Sequence, residues 1–202
     1  MDPEQIFTVI CEALEHDEGT LQEASPWVYR GRRRAEHLER LLFLCPACKT
    51  YDTLRSRRHI LGCSSCGYAV RYGRHALLQA KSDEPLRFRT VSAWNTWQRE
   101  RLQEDASGLL DGTVFRKPAT VRTYDRERRL LRRHKGIFAL GERGLLCEGV
   151  WVDPGRLDGI NIQNNYMLEF YIEDELKRVV FDDRTESVYK WTHAMKHCRK
   201  GE

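Results

Sequence analysis

The chain has 202 residues, of which 41% are hydrophobic and 32% charged, with a formal net charge of +4. That length allows one ordinary core or two or three small modules, and the composition is that of a folded, soluble chain. No apolar run approaches the roughly 20 residues that span a bilayer, and the acidic start MDPEQIF lacks the basic region of a secretory signal, so the expected location is cytoplasmic.

In chain order, PEQIFTVICEALEHDEG sets Ile6, Phe7, Val9, Ile10, Ala13 and Leu14 at helical spacing, begun by Asp2 and Pro3 and closed by Gly19. SPWVYRGRRR reads as a short extended or turn segment, and AEHLERLLFLCPAC as a short helix or strand. Residues 45–78 alternate turns with short extended runs. FRTVSAWNTWQRERLQEDAS reads as a helix of about four turns, with Val91, Trp94, Trp97, Arg101 and Leu102 on one face.

From about residue 112 the period becomes two, in TVFRKPATVRTYD, RRLLRRHKGIFAL, GLLCEGVWVD, GINIQ, YMLEFYIED and LKRVVFDD. Asp-Pro-Gly, Asn-Asn and Glu-Asp punctuate these runs as turns. ESVYKWTHAMKHC closes the chain as an amphipathic helix presenting Val188, Trp191 and Met195. The expected fold class is α+β: a four-cysteine ribbon with flanking helices, then a small antiparallel barrel or sandwich of six or seven strands capped by a C-terminal helix. The divisions fall at 1–28 (acidic helix), 29–82 (ribbon), 83–111 (tryptophan-bearing helix and linker) and 112–202 (β-rich part).

The chemistry concentrates in CPACKTYDTLRSRRHILGCSSC. Cys45, Cys48, Cys63 and Cys66 form two Cys-x-x-Cys pairs separated by 14 residues. A Cys-x-x-Cys turn brings two sulfurs to one ion, four thiolates suit tetrahedral zinc, and Gly67 suits the second turn. The expected cofactor is structural Zn2+, and the alternative is a redox dithiol or two buried pairs. Four thiolates leave no coordination position for water or substrate, which excludes a catalytic role for the metal. His59 and His75 lie nearby and are not needed as ligands. Cys11, Cys147 and Cys198 are isolated and expected to pack as small apolar groups.

Charge is segregated along the chain. Residues 1–29 carry seven acids and no Lys or Arg. Residues 30–81 carry twelve basic and three acidic residues, and 116–143 carry ten and three. Arg30, Arg32, Arg33 and Arg34, followed by Arg55, Arg57 and Arg58, are the candidate contacts to an anion or a partner. The plainer alternative pairs each basic block with a neighbouring acidic one. Many four-cysteine ribbons bind nucleic acid, so a nucleic-acid-binding ribbon is the competing function.

The segment YRGRRRAEHLERLLFLCPACKTYDTLRSRRHILGCSSCGYAVRY resembles the C-terminal extension of some bacterial 1-acyl-glycerol-3-phosphate (lysophospholipid) acyltransferases. There a pattern Y-x-G-x-x-R-A-E-x-L-E-R-x-L-x-x-C-P-x-C leads into a zinc ribbon. A following F-x-T-V-x-x-W-x-x-W-Q is matched here by Phe88, Thr90, Val91, Trp94, Trp97 and Gln98. LEFYIED…VVFDD…SVYKW looks like the end of a pleckstrin-homology-type barrel, with Trp191 in its last helix. The acyl transfer of that family uses a His-x-x-x-x-Asp pair, and no histidine here has Asp five positions on: His16, His37, His59, His75, His134, His193 and His197 meet Leu21, Leu42, Ser64, Ala80, Ala139, Cys198 and Glu202. The resemblance therefore implies a noncatalytic zinc-binding accessory region of phospholipid metabolism, with no catalytic residues and inactive alone. It would dock an acyltransferase catalytic domain or an anionic membrane surface, peripheral to the inner face of the membrane.

Overall fold

The period-two pattern that begins at Phe115 folds as seven antiparallel strands: β5 (Phe115–Tyr124), β6 (Leu130–Gly141), β7 (Gly144–Cys147), β8 (Val150–Val152), β9 (Leu157–Gln163), β10 (Met167–Ile172) and β11 (Glu175–Phe181). They stand in the order β8-β7-β6-β5-β11-β10-β9, so the first strand of the run lies beside the last, in a half-barrel. Upstream, β1 (Leu54–Arg57), β2 (Ile60–Cys63), β3 (Ala69–Tyr72) and β4 (Leu78–Ala80) form a separate four-stranded meander. Among the described residues three helices accompany them: α1 (Pro3–Leu14), α2 (Val91–Ser107) and α3 (Val188–Arg199). This computed structural model describes residues 2–14, 27–107 and 115–199, so the expected helix stop at Gly19 lies outside the described residues.

The punctuation expected from sequence does its work at each turn. Asp153 accepts the Gly155 amide at 2.8 Å and caps the 3-10 turn Pro154–Arg156. Asn164 and Asn165 both take left-handed backbone, φ 52° and 59°, at the centre of a tight turn closed by the Tyr166 amide on the Gln163 carbonyl (3.3 Å), after which Met167 pairs with Gln163. Glu173, φ 56°, turns β10 into β11. The run GLLCEGVWVD is two strands and not one, because Glu148 and Gly149 (φ 54° and 81°) reverse the chain between Cys147 and Val150.

The half-barrel closes around aromatics. Trp191 of α3 is fully buried, stacks on Phe181 at 5.1 Å and meets Phe138 at 5.2 Å and Phe115 at 5.9 Å. Val188 and Met195, the other two residues of the expected stripe, are buried with it. The segment before the ribbon is neither a full helix nor a strand. It is a single 3-10 turn, Leu38–Arg40, entered through His37 at φ 71°, followed by Leu42, Phe43 and Leu44, all buried. Leu42 packs into the ribbon cluster with Leu54, Leu61, Tyr68, Val70 and Trp94, whereas Phe43 and Leu44 pack into the half-barrel cluster with Trp191. Three consecutive residues thus join the two cores.

Trp94 is buried as expected, and Trp97 is half-buried against both clusters. Helix α1 differs: Ile6, Phe7, Val9 and Ile10 are all exposed, and so is Cys11, which does not pack as a small apolar group. Cys147 and Cys198 do, one buried and one half-buried within the half-barrel cluster.

Candidate metal centre and basic edge

The two Cys-x-x-Cys turns are built alike. In each, the residue after the second cysteine has left-handed backbone, Lys49 at φ 56° and Gly67 at φ 78°. Its amide donates to the carbonyl of the first cysteine, at 2.9 Å for Lys49 to Cys45 and 3.1 Å for Gly67 to Cys63. The strand β2 ends at Cys63 and pairs with Leu54 of β1, which sets the second turn beside the first.

The four Sγ atoms of Cys45, Cys48, Cys63 and Cys66 all lie within 4.8 Å of one another. Cys45 to Cys66 and Cys48 to Cys63 are each 3.7 Å apart, so each close pair spans the two turns. A tetrahedron with metal–sulfur bonds of about 2.3 Å has edges of about 3.8 Å, so the spacing fits one ion held by all four sulfurs. A disulfide would need about 2.05 Å, and these cysteines are free. His59 and His75 do not join the cluster.

The surroundings treat the sulfurs unequally. Burial pushes the Cys45 thiol far up. Burial acts on Cys48 as well, but the hydroxyl and amide of Thr50 outweigh it and bring that thiol down to about 6. Thr53 adds its hydroxyl 3.2 Å from Cys63 Sγ. Four thiolates fill a tetrahedral ion, so the site can hold chain segments together and cannot bind a substrate at the metal.

The candidate arginines gather beside this centre. The Ala35 amide donates to the Arg58 carbonyl at 2.9 Å, and the His37 amide to Ser56 Oγ at 2.9 Å, which lays the 30–37 segment along the β1–β2 hairpin. Arg30, Arg32, Arg33, Arg55, Arg57 and Arg58 are exposed there. Their partners divide them. Arg33 reaches Glu36 at 3.6 Å and Arg55 reaches Asp183 at 3.8 Å, while Arg34 is half-buried and donates to the Tyr72 carbonyl at 3.2 Å, a tie within the fold. The basic block 116–143 follows the plainer alternative more closely: Arg126 pairs with Asp174, Arg129 with Asp125 and Glu127, and Arg132 with Glu148 and Glu175.

Sequence reasoning missed the apolar companions of that edge. Trp27 is 70% exposed, Val28 53% and Tyr29 45%, directly before Arg30. Their signal was present as WVYR, but nothing local distinguishes an exposed tryptophan from a core one.

It also missed what Gln98 does. Gln98 is fully buried; its Oε1 accepts the amides of Phe43 (2.9 Å) and Leu44 (3.4 Å), and its Nε2 donates to the Leu41 carbonyl (2.8 Å). Trp94 Nε1 donates to the Leu44 carbonyl at 2.9 Å, and Thr90 Oγ1 caps α2 by accepting the Ala93 amide at 3.1 Å. The residues of the F-x-T-V-x-x-W-x-x-W-Q pattern therefore bolt α2 onto the segment that enters the first Cys-x-x-Cys turn.

A second cluster ties the ribbon to the half-barrel. Asp52, just after the first turn, takes Lys117 of β5 at 2.8 Å and Lys190 of α3. Glu186 takes Lys190 at 2.7 Å, Lys117 at 3.1 Å and the Trp191 indole at 2.8 Å. Burial alone would raise the Asp52 carboxyl, but the two ammonium groups hold it below its ordinary value. Two acids and two bases balance, which is how buried charge is tolerated. No family model, curated protein or solved structure matches the chain.

Proposed function

We propose that the chain is a noncatalytic, zinc-stabilised accessory module of phospholipid acyl transfer that docks on an anionic membrane surface beside a catalytic partner. The observation that carries the membrane contact is the exposed Trp27, Val28 and Tyr29 running into Arg30, Arg32 and Arg33 on the edge of the ribbon. Tryptophan and tyrosine favour the membrane–water boundary, and arginine beside them meets lipid phosphates. No helix among the described residues is long and apolar enough to cross a membrane, so the contact is peripheral.

Three further observations support the reading. The sulfur spacing and the all-thiolate donor set favour zinc over harder ions. The acyltransferase-like patterns fall on residues that join α2 to the ribbon, and no His-x-x-x-x-Asp pair accompanies them. The strand order, with the first strand beside the last and α3 plugging the half-barrel through Trp191, favours a pleckstrin-homology-like fold for 112–202.

The test is co-sedimentation with phosphatidic acid vesicles set beside a gel shift on mixed RNA and DNA. Vesicle association should fall roughly a hundredfold when Arg30, Arg32 and Arg33 become Gln, since each cation near such a surface contributes about 1 kcal/mol. Tight RNA binding with no vesicle association would replace this reading with the nucleic-acid one.

A further inference from the structure

Helices α2 and α3 pack against each other, and near the C-terminal end of α3 they enclose a groove of about 490 Å³. Its lining is Arg99 and Gln103 from α2 and His193, Lys196, His197 and Arg199 from α3. The spacing explains the convergence: 99 and 103 are one helical turn apart, as are 193, 196 and 197, so each helix turns one polar stripe into the groove. No carboxylate lines it among the described residues.

The contrast with neighbouring arginines is informative. Arg101, on the next face of α2, pairs with Glu104 at 2.9 Å and Asp105 at 3.3 Å. Arg199 pairs with Asp158 at 3.2 Å. Arg99 and Lys196, both exposed at the rim of the groove, have no acidic partner among the described residues, whereas the buried Lys177 and Lys190 each have one. The field they produce registers on His193, whose ring packs edge-on to Tyr189 at 4.4 Å. Burial, and then Arg99 and Lys196, push that imidazole down to about 4.

We propose that this groove binds a phosphomonoester, supplied either as a free phosphorylated metabolite or as a lipid headgroup. Two cations without an acidic partner among the described residues match a dianion. Arg99 offers a planar fork of donors for two phosphate oxygens, Lys196 a compact charge, and the imidazole N–H groups of His193 and His197 further donors. The volume lies in the range of small-ligand sites. This site is separate from the Trp27–Arg33 edge and stands or falls without it.

The test follows the imidazole NMR signals of His193 and His197 in the full chain as sodium phosphate is added, against sodium chloride at matched ionic strength. Saturable shifts with phosphate alone are expected. Arg99→Gln and Lys196→Gln should each weaken binding about tenfold, the loss of one charge-assisted contact, while Arg126→Gln leaves it unchanged. Vesicles then separate the sources. If Arg99→Gln also lowers association with phosphatidic acid vesicles but not with phosphatidylglycerol vesicles, the ligand is a headgroup. If only phosphate binding falls, it is a free metabolite. Equal shifts with chloride, no saturation, or unaltered binding in both variants would overturn the site. Loss of vesicle association in the Arg30, Arg32 and Arg33 variant with phosphate binding intact would leave it standing.

Discussion

The ribbon and the half-barrel solve the same stability problem in different ways. The half-barrel buries a continuous aromatic and aliphatic cluster, with Phe115, Phe138, Phe170, Phe181 and Trp191 linked by ring contacts through Phe138 and Trp191. The ribbon has strands of three or four residues, and its smaller buried cluster counts Cys45 and Cys63 among its members. Strands that short bury less apolar area than the long strands of the half-barrel, so the four cysteines carry more of the ribbon's stability. One region is kept by area removed from water; the other adds four sulfurs placed within 4.8 Å of one another, close enough to hold one metal ion. If a metal fills that cluster, the ribbon is the conditional part of the molecule, with metal and reduced thiols as its condition.

The largest expected effect separates the two regions. Cys63→Ser removes one metal ligand and should unfold the ribbon, because a structural ion supplies much of such a module's folding free energy, on the order of 10 kcal/mol. The half-barrel should stay folded with a lowered melting temperature, since it loses Asp52 and the company of Phe43 and Leu44. Circular dichroism in the near ultraviolet would show the aromatic cluster around Trp191 still ordered.

Next comes the latch between the regions. Asp52→Ala leaves Lys190, which is fully buried, facing Glu186 and a second ammonium with one carboxylate missing. Breaking a buried ion pair typically costs about 3–5 kcal/mol, so chemical denaturation should show a loss of about 3 kcal/mol without loss of bound metal. Gln98→Leu is smaller. It leaves the buried Phe43 and Leu44 amides without the acceptor they share and should cost about 2 kcal/mol, read by the same denaturation curves. A ribbon fully unfolded by either change would mean that the metal is not its main support.

The smallest effect is on pH. His193 is held near 4 when folded, against an ordinary value of about 6.5. Between those values the unfolded chain binds a proton that the folded chain does not, so stability rises with pH through that window and falls as pH drops from about 6.5 to 4. The cause is burial together with Arg99 of α2 and Lys196 of α3, beside the Tyr189 ring. His193→Gln should flatten the acid limb of a plot of melting temperature against pH.

The contents of each region were legible in the sequence to different degrees. Local rules sufficed for the strands and turns: period two from Phe115, Asp153 before Pro154, the Asn164–Asn165 pair. They sufficed for the clustering of the four cysteines too, because Cys-x-x-Cys spacing already sets two sulfurs in one turn. Lys49 escaped notice where Gly67 did not, since only glycine announces positive φ in advance. What crosses the chain was not legible. That β5 lies beside β11, that Gln98 reaches back more than fifty residues to Phe43, and that Asp52 meets Lys190 all depend on how the sheet coils, and no local pattern encodes that. The short segment Leu42–Leu44 reads as one apolar run, yet Leu42 serves one core and Phe43 and Leu44 the other.

Hydrogen exchange followed by mass spectrometry, with and without a thiol-compatible chelator, tests the central claim most directly. Removing metal should release the amides of β1 to β3 and both cysteine turns within seconds, while β5, β6, β10 and β11 keep their protection. Protection of the ribbon that survives complete metal removal would contradict it.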